Sequence, residues 1–179
     1  MTEQSPEKTT RLWAETGFRE DEWNLAETAD ALAGNSRIIL PLAEFLALDD
    51  DTRRNSKDRL GVVLQPGEQL DEIVSHLDTL SLVALAFPVY SDGRSYSKAE
   101  LLRSRHGFEG AVRAVGDVLV DQLPHMLRVG FDEFEISNPV LLKRLEEGRV
   151  GGIAQQYQPT AKQSEKTANY SWRRLRAPN

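Results

Sequence analysis

Five short apolar runs, each followed by a stretch long enough for a helix, limit this chain to very few architectures. The runs are Arg37–Leu40, Leu60–Gln65, Leu82–Pro88, Ala111–Gly116 and Glu133–Ser137. Most are almost continuously apolar, as strands covered on both faces must be. Strands that alternate with helical segments build βα units, so the expected fold is α/β: consecutive βα units and a mainly parallel sheet, open or half-barrel-like, with about five strands. A barrel of this type closes with about eight such units, so a free edge should remain.

The gaps carry helix signals of different strength. After Gly67, residues Ile73, Leu77 and Leu80 fall at i, i+4 and i+7, the spacing of one buried helical face. Ser97 and Glu100 have capping-box spacing, which predicts a helix starting after Tyr96 and ending near Gly107. Asn138 with Pro139 reads as an N-cap and first helical position, Gly148 as the stop, and Leu141, Leu142 and Leu145 as the buried stripe. Val118–Val129 has helical apolar spacing ending at Gly130, but Pro124 removes a backbone donor inside it at a cost of ~3 kcal/mol. A kink or a break is expected there.

Composition bounds organisation and partners. Of 179 residues, 1–17 read as a flexible N-terminal extension, 18–152 as one α/β domain and 153–179 as an extended tail. The charged run Asp49, Asp50, Asp51, Arg53, Arg54, Lys57 and Asp58 reads as a solvated connector. With 22 Lys+Arg against 28 Asp+Glu, a formal charge of -6 gives no overall attraction to nucleic acid or anionic lipid. The opening MTEQSPEKTTRLW has no secretory apolar stretch and no run approaches the ~18 apolar residues of a membrane span. A cytoplasmic protein is expected, without nucleic-acid or membrane partners.

The sequence contains no cysteine, which excludes thiolate nucleophiles, disulfides and cysteine-ligated zinc or iron–sulfur centres. His76, His106 and His125 form no H-E-x-x-H pair, and neither G-x-G-x-x-G nor a phosphate-binding P-loop is present. No intrinsic cofactor and no metal site are predicted.

Candidate ligand-binding residues gather where strands end. The stretch Ala86–Ser97 leaves an apolar strand and enters a helix, and open parallel sheets bind ligands beyond the carboxyl ends of their strands. Asp92, Arg94, Ser95 and Tyr96 are therefore candidates, although Asp92-Gly93 is also a turn signal and Arg94 has Asp92 beside it as a pairing partner. Arg94, Arg103, Arg105 and Arg113 concentrate positive charge in this region of an acidic chain, and only one of Arg103 and Arg105 can share a helix face with Arg94. Arg103 joins the candidates; a solvated charged face is the competing reading. Asp117 and Asp121, four apart at the next strand end, share one helical face if helix follows at once, as metal binding would require, but Asp117 is a natural N-cap and Asp121 suits the first turn, so capping is the reading taken. Tyr157, in the tail, completes the set. Glu133 and Glu135 share a strand face that a solvated edge accounts for.

The ordered motifs Leu85-Ala-Phe-Pro88, Asp92-Gly-Arg-Ser-Tyr-Ser97, Leu101-Leu-Arg103, Arg113-Ala-Val-Gly-Asp-Val118, Asp121-Gln122 and Gly130-Phe-Asp-Glu-Phe-Glu135 resemble an uncharacterised proteobacterial family, a domain of unknown function. With Trp23, Ile38–Leu48 and Tyr157-Gln158 the resemblance spans most of Phe18–Gln158. Pro124 stands where relatives carry an aromatic residue, and Ser95 where glycine is more usual. The family is commonly encoded beside sulfite reductase and adenylylsulfate reductase genes and is often labelled an oxidoreductase of sulfite reduction. The resemblance implies a pathway and carries over no catalytic residue. The strand-end loops are also similar to part of an enolase-like barrel, a likeness of fold alone.

Two functions follow as expectations. One is an accessory protein of assimilatory sulfate and sulfite reduction, a binding or adaptor partner of sulfite reductase or adenylylsulfate reductase with no redox centre of its own. The other is an enzyme or sensor that binds a small anionic metabolite at the strand ends. A remaining sheet edge and an aromatic, basic tail further predict a two-fold homodimer.

Overall fold

The structure, a computed structural model, describes residues 10–151. Within them runs an eight-stranded mixed sheet. Its strands are β1 (Arg11–Ala14), β2 (Gly17–Arg19), β3 (Trp23–Leu25), β4 (Arg37–Pro41), β5 (Leu60–Leu64), β6 (Leu82–Phe87), β7 (Ala111–Gly116) and β8 (Glu133–Ile136). They are ordered β2-β1-β8-β7-β6-β5-β4-β3. The five expected strands are β4 to β8, adjacent in chain order and parallel.

The expectation of about five mainly parallel strands is corrected to eight strands of mixed direction. β1 pairs antiparallel with β8 and with β2, and β3 extends the parallel side beyond β4. The three added strands are only three or four residues long and mix Arg, Asn and Gly with Leu, Phe and Trp. β2 and β3 are edge strands with exposed residues, and β1, though buried between β2 and β8, is only four residues long, so no apolar run is long enough to announce them. β1 also brings residues ahead of Phe18, the expected start of the domain, into the sheet.

Six α-helices accompany the strands: α1 (Leu42–Ala47), α2 (Asp50–Asn55), α3 (Asp71–Val74), α4 (Arg94–Ser104), α5 (Leu123–Val129) and α6 (Pro139–Glu146). Parallel strands joined in sequence order by right-handed crossovers put their helices on one face of the sheet. Accordingly Phe45, Ile73, Leu102, Met126 and Leu141 pack with Ile38, Leu64, Leu85, Ala114 and Phe134 in one continuous core. The other, concave face carries a smaller core of Ile39, Val63, Leu82, Ala84 and Ala86, against which Trp23, Ala111 and Val115 pack.

Curl follows from chain length. The outermost strands β2 and β3 are joined only by Glu20, Asp21 and Glu22. Four residue steps from Arg19 to Trp23 reach at most about 14 Å. The sheet's two edges are therefore drawn toward each other into an open half-barrel, with the link crossing its concave side.

Several helices differ from the sequence-based expectation. The charged run after Asp49 is helical: the Asp49 carboxylate accepts from the Thr52 backbone N–H at 2.9 Å, and Arg53 lies buried against the carbonyls of Phe45 and Leu46. α4 starts three residues before the expected boundary, because the Ser95 hydroxyl donates to the Ala86 carbonyl at 2.9 Å and ties the first turn to β6. The long helix expected after Gly67 is short α3 followed by a 3-10 turn at Leu77–Thr79, although Ile73 and Leu80 are both buried. α5 starts at Leu123, so Pro124 sits in the first turn, where its missing donor is no loss, rather than inside a kinked helix. α6 has the expected form: the Asn138 side chain accepts from the N–H groups of Val140 and Leu141, and Gly148 turns the chain at φ +70°.

At the end of β7, Gly116 has φ +103°, and a Cβ there would run into the Phe87 carbonyl of the neighbouring strand. The close approach lets the Asp117 N–H donate to that carbonyl at 2.7 Å. Gly116→Ala combines left-handed strain with a backbone clash. It should lower unfolding stability by about 2–4 kcal/mol, measured by urea denaturation.

Candidate functional site

The loop after β6 sets the geometry at the carboxyl ends of the strands. Asp92 folds back on the start of α4: its carboxylate accepts from the Arg94 backbone N–H at 3.2 Å, from Nε at 3.0 Å and from Nη2 at 2.6 Å. These bonds to Arg94 hold the Asp92 carboxyl down at about 2. Asp92 and Arg94 therefore neutralise each other, and Ser95, fully buried, has its hydroxyl committed to Ala86. Tyr96 is half-buried in an aromatic group, edge-on to Phe87 with centroids 5.4 Å apart and stacked on His125 at 5.0 Å. Burial, then the Asp121 charge, pushes its hydroxyl up to about 12, so it remains a neutral phenol.

The remaining candidates do not converge on that loop. Asp117 and Asp121 lie in the turn between β7 and α5 rather than on one helical face, because Pro124 delays the helix. Arg103 sits at the opposite end of the strands. Its Nε donates to the Gly130 carbonyl at 3.0 Å, its Nη1 to the carbonyls of Phe108 and Gly110, and its Nη2 to Asp132, all just ahead of β7 and β8. It clamps the entries of two strands to the end of α4. Tyr157 lies outside the described residues.

One residue at the carboxyl ends carries no special sequence signal. Lys98, buried on α4, donates from Nζ to the carbonyls of Gln65 (2.7 Å) and Pro66 (3.1 Å), joining the loop after β5 to the loop after β6. Burial lowers its pKa, with Glu68 opposing.

The strongest charge cluster is on the concave face. Arg113, 1 % exposed, projects from the centre of β7. Its Nε donates to Glu133 Oε2 at 3.0 Å, its Nη1 donates to Asp21 Oδ2 at 2.9 Å, and its Nη2 lies 2.9 Å from the same Glu133 oxygen without being aligned to donate. Glu135, two residues along β8, faces the same side; burial pushes its carboxyl up, the Arg113 charge opposes this and Asp21 adds to it. Arg113 thus belongs to the interior and not to the surface group of arginines, and Glu133 and Glu135 line the inside of the curl rather than a solvated edge. A cation in the middle of the otherwise apolar run Ala111–Gly116 was the available signal, since a strand centre holds a charge only if paired. Asp21 carried none.

A groove of about 670 Å³ opens at the amino ends of the strands, between Lys57, Asp78, His106 and Glu109, and no candidate residue lines it. Among the described residues no group of three His, Asp or Glu is placed to hold a metal ion. No helix there is long and apolar enough to cross a membrane.

Fold and site define an α/β domain with an open curled sheet, in which Arg94, Lys98, Arg103 and Arg113 are engaged with the chain's own loops and strands. Over residues 61–168 the sequence matches the family described as "Bacterial protein of unknown function (DUF934)", and the chain belongs to that family. No curated protein and no solved structure matches it.

Two measurements check the roles assigned here. Arg103→Ala removes the donor to three carbonyls and leaves the Asp132 carboxylate without its ion-pair partner, with the Val112 N–H still bonded to it, and should cost about 3 kcal/mol in denaturant unfolding. For Asp92, a folded pKa below the ordinary 3.8 means that the carboxylate stabilises the fold above that value and ceases to do so as pH falls toward about 2. The urea midpoint of Asp92→Asn should therefore lie below that of the parent at neutral pH, and the gap should close in acid.

Proposed function

We propose that this chain is an accessory protein of assimilatory sulfate and sulfite reduction, acting as a binding or adaptor partner of sulfite reductase or adenylylsulfate reductase. The pathway rests on the family resemblance of Leu82–Ile136. The mode of action rests on the loop after β6. Its polar groups satisfy each other, Asp92 with Arg94 and Ser95 with Ala86, while Val89 and Tyr90 on the same loop are 53 % and 52 % exposed. A catalytic loop keeps polar groups free for substrate, whereas a rigid loop that presents apolar and aromatic side chains suits a protein contact. The 73 % exposure of Leu25 on edge strand β3 gives the same support to a homodimer.

Tagged protein from sulfate-grown cells should co-purify with a sulfur-assimilation enzyme. Recovery should fall at least about tenfold in a Val89→Asp, Tyr90→Asp double variant, the loss expected when interface anchors are removed. No such enzyme in the parent pull-down, together with unimpaired growth of a deletion strain on sulfate, overturns the reading. Thermal stabilisation by sulfite, sulfate or a phosphorylated metabolite, lost in Arg94→Ala, moves it to the sensor or enzyme alternative.

A further inference from the structure

The concave face is crossed by a three-residue link tied to the strands by two ion pairs, an exposed one at its end between Glu22 and Arg37 of β4 and one at its middle that reaches the centre of the sheet. Glu20, Asp21 and Glu22 join the two edge strands, and Asp21 reaches Arg113 at the centre of β7, 92 residues away in sequence. Next to the link, Trp23 lies over Gly61 of β5, at 3.2 Å from the position a Cβ would take, and covers the apolar face that Val63, Leu82 and Ala84 present. The link is a cover as well as a connection.

Charge around Arg113 is unbalanced. One guanidinium faces Asp21, Glu133 and Glu135, in a place where water screens poorly. Among the described residues, the other elements packed against this cluster supply no second cation paired with these carboxylates. β6 contributes Ala84 and Ala86, and β1 contributes Leu12 and Ala14. Arg19 on β2 shares the row of Leu12 and Glu135 but donates to Thr16. Glu22 is paired with Arg37 at 3.1 Å, and Glu20 is exposed. Of the three carboxylates, Glu133 and Glu135 are fixed on β8 between β7 and β1, and only Asp21 stands on a segment that can lift away.

We propose that Glu20–Glu22 is a strap held closed over the concave face by the Asp21–Arg113 pair, and that negative charge on Glu135 releases it. With Glu135 neutral, two carboxylates share Arg113 and the strap is fastened. With Glu135 ionised, the third carboxylate repels Asp21 and competes for the same guanidinium, so the free segment yields. Burial of Glu135 shifts this ionisation upward from the ordinary glutamate value, so the strap is closed in acid and loosens as pH rises.

Hydrogen exchange on the whole chain tests the device. Protection of the Trp23–Ala26 amides, taken relative to unstructured chain at each pH, should fall at least about tenfold between about pH 4, near the ordinary Glu value, and about pH 8. Protection in β6 should stay constant and report an intact fold. Glu135→Gln should remain closed across the range, and Asp21→Asn should be open throughout. The proposal is overturned if the parent shows no pH dependence in this segment, if Glu135→Gln keeps the dependence, or if Asp21→Asn is as protected as the parent with β6 intact.

Discussion

A buried guanidinium between carboxylates from opposite parts of the chain is the contact that pins the link between the outer strands to the centre of this curled sheet. Arg113 alone would be costly to bury, and so would Asp21 or Glu133 in its place. Together they form a charge-paired group that ties β7 to β8 and to the link between the outer strands, with Nη2 of Arg113 alone left without a hydrogen bond. A pair of this kind adds little net stability over a well-packed apolar alternative. What it contributes is geometry: Asp21 meets Arg113 only when the sheet curves enough to bring its edges near each other.

The curl in turn separates two faces with different contents. The helix-covered face is a conventional apolar core, with Leu40, Leu64, Leu85 and Phe134 almost fully buried. The concave face is thinner, built on Gly61, Ala84 and Ala86, and depends on Trp23 and the link for cover. Small residues there leave room for the link to approach. The carboxyl-end loops are stabilised separately, through Ser95, Lys98 and the close approach of Gly116 to Phe87. Between them, the Gln122 side chain donates to the Tyr90 carbonyl at 2.7 Å, which ties the segment that exposes Val89 and Tyr90 to the turn before α5.

The arginines show how one residue type takes three roles within a short stretch. Arg94 is exposed and pairs with its neighbour, Arg103 clamps carbonyls at the amino ends of the strands, and Arg113 is interior. In sequence they form one concentration of positive charge. Because a strand alternates its faces and a helix rotates its own, neighbours in sequence were sent to three separate places.

Much of the fold was legible in the chain alone. Four of the five parallel strands were determined by almost continuous apolar runs, the composition of strands covered on both faces, and β8 by the alternation of Phe134 and Ile136 with Glu133 and Glu135. The start of α6 was determined by Asn138 and Pro139, whose preferences act within a few residues. Asp92 and Arg94 were visible as a pair for the same reason. Only tertiary structure decided the rest. β1, β2 and β3 are too short and too mixed to form by local preference and exist because neighbouring strands offer unpaired backbone groups. Arg103 and Lys98 acquire their partners from carbonyls that come within reach after the strands assemble. Asp21 found Arg113 because a three-residue link across a curled sheet leaves it nowhere else to go, and that constraint is a property of the closed path of the chain, not of any segment of it.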